Sequence, residues 1–135
     1  MSYTELSPSD CFDQLKTDEA SLLVDCRTRA EWMLVGVPDL SSVGKQARLI
    51  EWQDIAGQPN PEFVQAVLNT AESDTTIFIL CRSGVRSAQA CMAVRAAGHQ
   101  KVINVADGFE GPLDDNHHRG RSAGWKASNL PWQQQ

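Results

Sequence analysis

Thr75 to Gly98 reads TTIFILCRSGVRSAQACMAVRAAG, and the order of its parts decides the fold. Thr76-Ile77-Phe78-Ile79-Leu80 is a short apolar run that suits a buried strand. Cys81 closes the run. Arg82-Ser83-Gly84-Val85-Arg86 follows as a tight loop. A helical pattern then runs from Ser87 to Gly98, where glycine suits the position just past a helix end. The strand fixes the cysteine at a sheet edge. A loop this short must curl successive backbone N–H groups around the sulfur, and the helix behind it points its positive end into the same cup. Arg82 and Arg86 add full charges. Such a setting favours thiolate over thiol, so Cys81 is the candidate nucleophile.

The rest of the chain bounds what such a cysteine serves. A chain of 135 residues suits one domain spanning residues 1–135, with Gln133-Gln134-Gln135 read as a frayed tail. Apolar residues make up 41% and charged ones 21%, the ordinary balance of a globular protein. The net charge of −5 runs against the basic surplus of a nucleic-acid binder. No apolar run approaches the ~20 residues of a membrane span, and MSYTELSPSD lacks the parts of a secretory signal. The expected location is cytoplasmic. None of the four cysteines forms a C-x-x-C pair, so neither a metal nor a cofactor is expected and free thiols are the simpler reading.

Taken in order, Ser7-Pro8-Ser9-Asp10 opens a helix, with Ser7 as cap and Pro8 at its first position. Cys11, Phe12 and Leu15 form its packing face, and its end is expected near Glu19-Ala20. Ser21 to Cys26 reads as a buried parallel strand carrying Asp25 to the edge where ligands gather. Thr28 and Glu31 have capping-box spacing. Met33 to Gly57 is irregular, with a strand expected over Ala47 to Trp52. Lys45 and Arg48 there read as solvated surface, or alternatively as added positive potential. Asn60-Pro61 starts another helix, packed through Phe63, Val64, Val67 and Leu68. Cys91 is core filler in the helix after the loop. Lys101 to Val105 is a strand running into the Gly-rich Asp107 to Pro112. Trp125 and Trp132 are expected to cover the core. Helices alternate with strands, which gives an α/β domain with a mainly parallel central sheet flanked by helices. If the strands ending at Asp25 and Leu80 are parallel neighbours, Asp25 and Arg27 stand near the Cys81 loop.

These residues resemble a single-domain rhodanese, a sulfurtransferase, over nearly the whole chain. Leu23-Val24-Asp25-Cys26-Arg27 through Glu31-Trp32 is similar to that family's early segment. Cys81-Arg82-Ser83-Gly84-Val85-Arg86-Ser87 is similar to its active loop. Asn104 to Phe109 and Leu130-Pro131-Trp132 are similar to its closing strand and tail. Three features depart from the pattern: Val37-Pro38-Asp39-Leu40 stands where His-Ile-Pro-Gly-Ala is frequent, position 26 is Cys rather than aliphatic, and Asn116 to Arg121 is an addition.

The resemblance implies that Cys81 takes the outer sulfur of a donor such as thiosulfate, becomes a persulfide, and passes the sulfur to cyanide or a thiol, a sulfur-carrier protein among them. The expected partners are thus a small sulfur-containing anion and a thiophilic acceptor, with no nucleic acid and no membrane. The amides of Arg82 to Ser87 stabilise the sulfur charge. Arg82 and Arg86 draw in the anion. Ser83 or Ser87 donates a hydroxyl hydrogen bond, Gly84 permits the sharp curve, and Val85 completes the loop. Asp25 is expected to orient Arg86 or Arg27 through an ion pair, or else to be purely structural. His117, His118, Arg119 and Arg121 read as a solvated loop, with a basic rim as the alternative. A Cys26–Cys81 disulfide is a further alternative to an inert Cys26. Two other functions compete. A phosphatase or arsenate reductase also cradles an anion by Cys and Arg, but here only four residues separate Cys81 from Arg86, one fewer than in dual-specificity phosphatases. A non-catalytic binding module of the same fold is the other.

Overall fold

The computed structural model describes residues 3–134. Five parallel strands form the central sheet, in the order β1 (Thr4–Leu6), β6 (Val102–Val105), β5 (Thr76–Leu80), β2 (Ser21–Asp25), β4 (Arg48–Leu49). The helices are α1 (Pro8–Thr17), α2 (Arg29–Val35), α3 (Phe63–Leu68) and α4 (Val85–Ala96). A separate antiparallel ribbon pairs β3 (Val37–Pro38) with β7 (Trp132–Gln133). This is the mainly parallel α/β sheet that the alternation of elements predicts.

Side chains alternate across a strand, and that alternation builds two cores. Leu22, Val24, Cys26, Ile77, Ile79 and Cys81 face Phe63 and Val67 of α3 and Ala90, Cys91 and Val94 of α4. Leu23, Phe78, Leu80 and Val105 face Cys11 and Leu15 of α1, together with Phe109 and Trp125. Trp125 is wholly buried, whereas Trp132 is exposed and pairs in the ribbon.

Several boundaries differ from the expectation. α1 stops at Thr17 because the Asp18 carboxylate turns back to accept the Ala20 amide, 2.9 Å, a side-chain turn that competes with the helix. α4 begins at Val85 rather than Ser87, because Gly84 takes a left-handed cap conformation, φ 104°. The Ala47–Trp52 strand is only Arg48–Leu49, extended by the Ile50 amide donating to Asp25 O and the Trp52 amide to Cys26 O. Gln133, expected to fray, pairs with Val37; Gln135 lies outside the described residues.

Candidate active site

Cys81 follows β5 directly, on the α3/α4 face of the sheet. The residue is 1% exposed, yet its sulfur sits among donors. The Gly84 amide donates to Sγ at 3.1 Å, and the Ser87 hydroxyl lies 3.2 Å from it. The amides of Val85, Arg86 and Ser87 form the first turn of α4 and have no acceptor within the helix. They remain for a bound anion or a sulfur carried on Sγ. Of the expected ring of amides from Arg82 to Ser87, Gly84 is the one that reaches Sγ itself.

The loop owes its shape to what stands behind it. The turn after β6 donates Phe109 N to Cys81 O at 2.8 Å, and both Glu110 N and Gly111 N to Arg82 O at 3.0 Å. These bonds hold the first two carbonyls of the loop against the turn. Gly108 makes the close approach possible, since a Cβ there would lie 2.2 Å from Cys81 O. The turn is braced in its own right. Trp125 N donates to Gly108 O, Lys126 N to Phe109 O, and Arg119 Nη1 to Gly111 O at 2.8 Å.

The two arginines of the loop divide their tasks. Arg82 is exposed and makes no ion pair among the described residues. Arg86 is bound to Glu31 by two parallel bonds of 2.8 and 3.0 Å, so its partner is Glu31 and not Asp25. Glu31 also closes the capping box on Thr28. Capping was the reading its spacing supported; the ion pair was missed. Burial opposes ionisation of Glu31, but the Arg86 guanidinium and the Thr28 amide outweigh it and hold the carboxyl below its usual range. Its contribution to stability is therefore complete above the usual glutamate value of about 4.3 and fades as pH falls through the lower folded value. In urea unfolding, wild type should lose more stability than Glu31→Gln between about pH 5 and about pH 3. At neutral pH the variant should be less stable by about 1 kcal/mol. Equal pH slopes would show that the carboxyl ionises alike folded and unfolded.

Asp25 pairs with Arg27, one of the two partners expected for it, but the position of the pair is corrected. β2 and β5 are indeed parallel neighbours, with Asp25 opposite Leu80. Leu80 and Asp25, however, sit one step out of phase with Cys81 and face the other side of the sheet. There Arg27 Nη2 meets Asp25 Oδ2 at 2.6 Å and donates to Gly36 O at 2.7 Å. The guanidinium lies 4.2 Å from the Phe109 ring centroid. The pair supports the turn behind the loop rather than entering the cup.

Cys26 is on the Cys81 side, one step past the Asp25–Leu80 pair. Its thiol is free, and burial above all, with the neighbouring Asp25 carboxylate adding to it, pushes it well above the usual value. Burial likewise pushes Cys11 and Cys91 up to about 12. Lys45 is no part of the site. It ties Asp18 O, Ser21 O and Ser21 Oγ together at 2.7–2.8 Å, beside a hollow of about 790 Å³ at the opposite end of the strands. His117 and His118 are exposed. Among the described residues no group of three or more His, Cys, Asp or Glu is placed to hold a metal, and no helix is long and apolar enough to cross a membrane. The cavity that adjoins the loop is about 680 Å³ and is lined by Arg82, Ser83, Val85 and Arg86 with Leu34 and Ile55.

Sequence reading also missed Asn104. It is wholly buried in β6 and touches Ser87, Gly84 and Glu5. A buried polar residue in an apolar strand requires partners, and that was the available signal.

Comparison with known proteins agrees with this architecture. The family model of the STR4 middle domain matches residues 3–135. The chain is 36% identical over 135 residues to the uncharacterized protein RP600 homolog of Rickettsia rickettsii, covering 98% of this chain and 99% of that one. It is 29% identical over 105 residues to a sulfurtransferase of Allochromatium vinosum, covering 78% of this chain and 83% of the other. The crystal structure of Rv0390 from M. tuberculosis superimposes with a TM-score of 0.90 at 41% identity, over 99% of this chain and 100% of that one. The rhodanese-like domain of an Anabaena protein gives 0.64 at 18% identity, over 99% and 81%. At that identity the likeness shows the fold, which is rhodanese-like.

Proposed function

The chain belongs to the family of the STR4 middle domain, and from that premise we propose that it is a sulfurtransferase working through a Cys81 persulfide. The observation that carries this is the Gly84 amide donating to Sγ at 3.1 Å, with the Ser87 hydroxyl 3.2 Å away, under a helix start. A nucleophilic thiolate needs such fixed donors, and a persulfide anion needs them again. In the first half-reaction the Cys81 sulfur anion attacks the outer sulfur of thiosulfate. The S–S bond of the donor breaks, sulfite leaves with its electron pair, and Cys81 carries S–S⁻. In the second, cyanide or a thiolate attacks that outer sulfur, and the Cys81 anion is restored. Arg82 attracts the anionic donor to the rim, while Arg86, neutralised by Glu31, mainly fixes the loop. The donor is thus a small sulfur-containing anion and the acceptor is cyanide or a thiol, small or on a carrier protein. Four free thiols suit a reducing compartment such as the cytoplasm.

Steady-state thiocyanate formation from thiosulfate and cyanide tests the reading. Two separate half-reactions predict parallel double-reciprocal lines, with Cys81→Ser at background. Lines that intersect would require both substrates bound at once and would overturn the persulfide route. No turnover with thiosulfate or any other sulfane donor would favour a binding module.

A further inference from the structure

Asn104 bridges the edge strand β1 to the nucleophile. Its Nδ2 donates to Glu5 Oε2 at 3.0 Å and to Gly84 O at 3.1 Å. Both partners only accept, which fixes the NH₂ on that side. Oδ1 therefore faces Ser87 Oγ, 2.5 Å away. Two oxygens this close need a hydrogen between them, and the amide oxygen carries none, so Ser87 donates to Asn104. A serine hydroxyl has one hydrogen. Cys81 Sγ, 3.2 Å from Oγ, then faces a lone pair and fits there as the thiol, donating S–H. Before Ser87 can donate to a sulfur anion, its hydroxyl must turn away from Asn104. That leaves two oxygen lone pairs in contact unless the amide turns over as well, and turning it over sets Oδ1 against the Glu5 carboxylate.

We propose that Glu5, acting through Asn104, positions the Ser87 hydroxyl and so sets whether the Cys81 sulfur has one hydrogen-bond donor or two. Glu5 and Asn104 are positioning residues for the nucleophile. When Cys81 ionises, its proton passes to a solvent base and the Ser87 hydroxyl turns to the sulfur, joining the Gly84 amide. No other bond is made or broken. The inference concerns the thiol itself and stands apart from which sulfur donor the site accepts. The other charged and titratable groups around the loop are Arg82 and Arg86, Glu31 on α2, Asp25 at the end of β2 with Cys26 and Arg27 just after it, Cys91 on α4, and Asp107 behind Gly84. None of them changes in Glu5→Gln, whose neutral amide can face either end of Asn104.

The test is the rate of Cys81 alkylation by iodoacetamide, located by peptide mass spectrometry, from about pH 5.5 to about pH 9. Wild type, Glu5→Gln, Ser87→Ala and the double variant are compared. Glu5→Gln should react about fivefold faster on the acid side, the factor one neutral hydrogen bond is worth, and should reach the wild-type plateau at high pH. In the Ser87→Ala background, Glu5→Gln should change nothing. Glu5 is exposed, so its variant alone decides the matter if Ser87→Ala folds poorly. In that case the acceleration should persist at about 1 M salt, where charge acting through space is screened within about 3 Å. No acceleration in the wild-type background would overturn the proposal. So would equal acceleration with and without Ser87, or an effect abolished by salt, because each assigns it to the Glu5 charge alone.

Discussion

Arg27→Met should lower the unfolding free energy by about 3–5 kcal/mol, the usual loss when one partner of a buried ion pair is removed. Both side chains are 0% exposed, so Asp25 would be left as a buried carboxylate without its cation. Two bonds of Arg27 Nε to the carboxylate and one of Nη2 to Gly36 O would go as well. The guanidinium also covers the inner face of Phe109, whose other neighbours include Lys126, 5.3 Å from the ring centroid. Removing both charges, as Asp25→Leu with Arg27→Met, should recover most of the loss, because an apolar pair of similar volume is often as stable as an ionic one. Denaturant titration of the single and double variants decides this. If the double variant is as unstable as the single one, stacking and the Gly36 bond matter more than the charge left unpaired.

Gly108→Ala, also outside the cup, should damage both stability and sulfur transfer. It combines left-handed strain at φ 60° with a Cβ 2.2 Å from Cys81 O and 2.7 Å from Arg82 O. All of these are backbone atoms that no rotamer change can move aside. Strain of about 1–2 kcal/mol and overpacking of about 1–3 kcal/mol give an expected loss of about 2–5 kcal/mol. Sulfur transfer should also be lost, because the turn can yield only by releasing the Cys81 and Arg82 carbonyls. Gly44→Ala is the control. Its φ is 72° with nothing within 4 Å of the added Cβ, so it should cost the strain alone and leave transfer intact. Equal losses in the two variants would show that the turn does not shape the loop.

Much of this was legible in the sequence because local order and tertiary role coincide there. The apolar runs Leu22–Val24 and Ile77–Leu80 each end in a residue placed at the ligand edge, and Thr28 and Glu31 announce their own capping box. What escaped depends on distant pairing. β1 is three residues, Thr4-Glu5-Leu6, held by β6 at the other end of the chain, and β3 exists only because Trp132 and Gln133 return to it. The partner of Arg86 lies 55 residues away, and spacing alone gave no reason to prefer Glu31 over Asp25. The misplacement of Asp25 was avoidable. Strand alternation puts it on the face opposite Val24, and the shared register with β5 carries the same separation to Cys81.

The central claim is that one sulfur, held under the start of α4, carries the transferred atom. Intact-mass spectrometry of the protein after thiosulfate treatment and removal of excess donor tests it most directly. The account predicts a gain of one sulfur atom, mapped to the peptide holding Cys81, absent in Cys81→Ser and discharged by cyanide. A sulfur adduct that survives in Cys81→Ser, or that maps to Cys11, Cys26 or Cys91 instead, would contradict it.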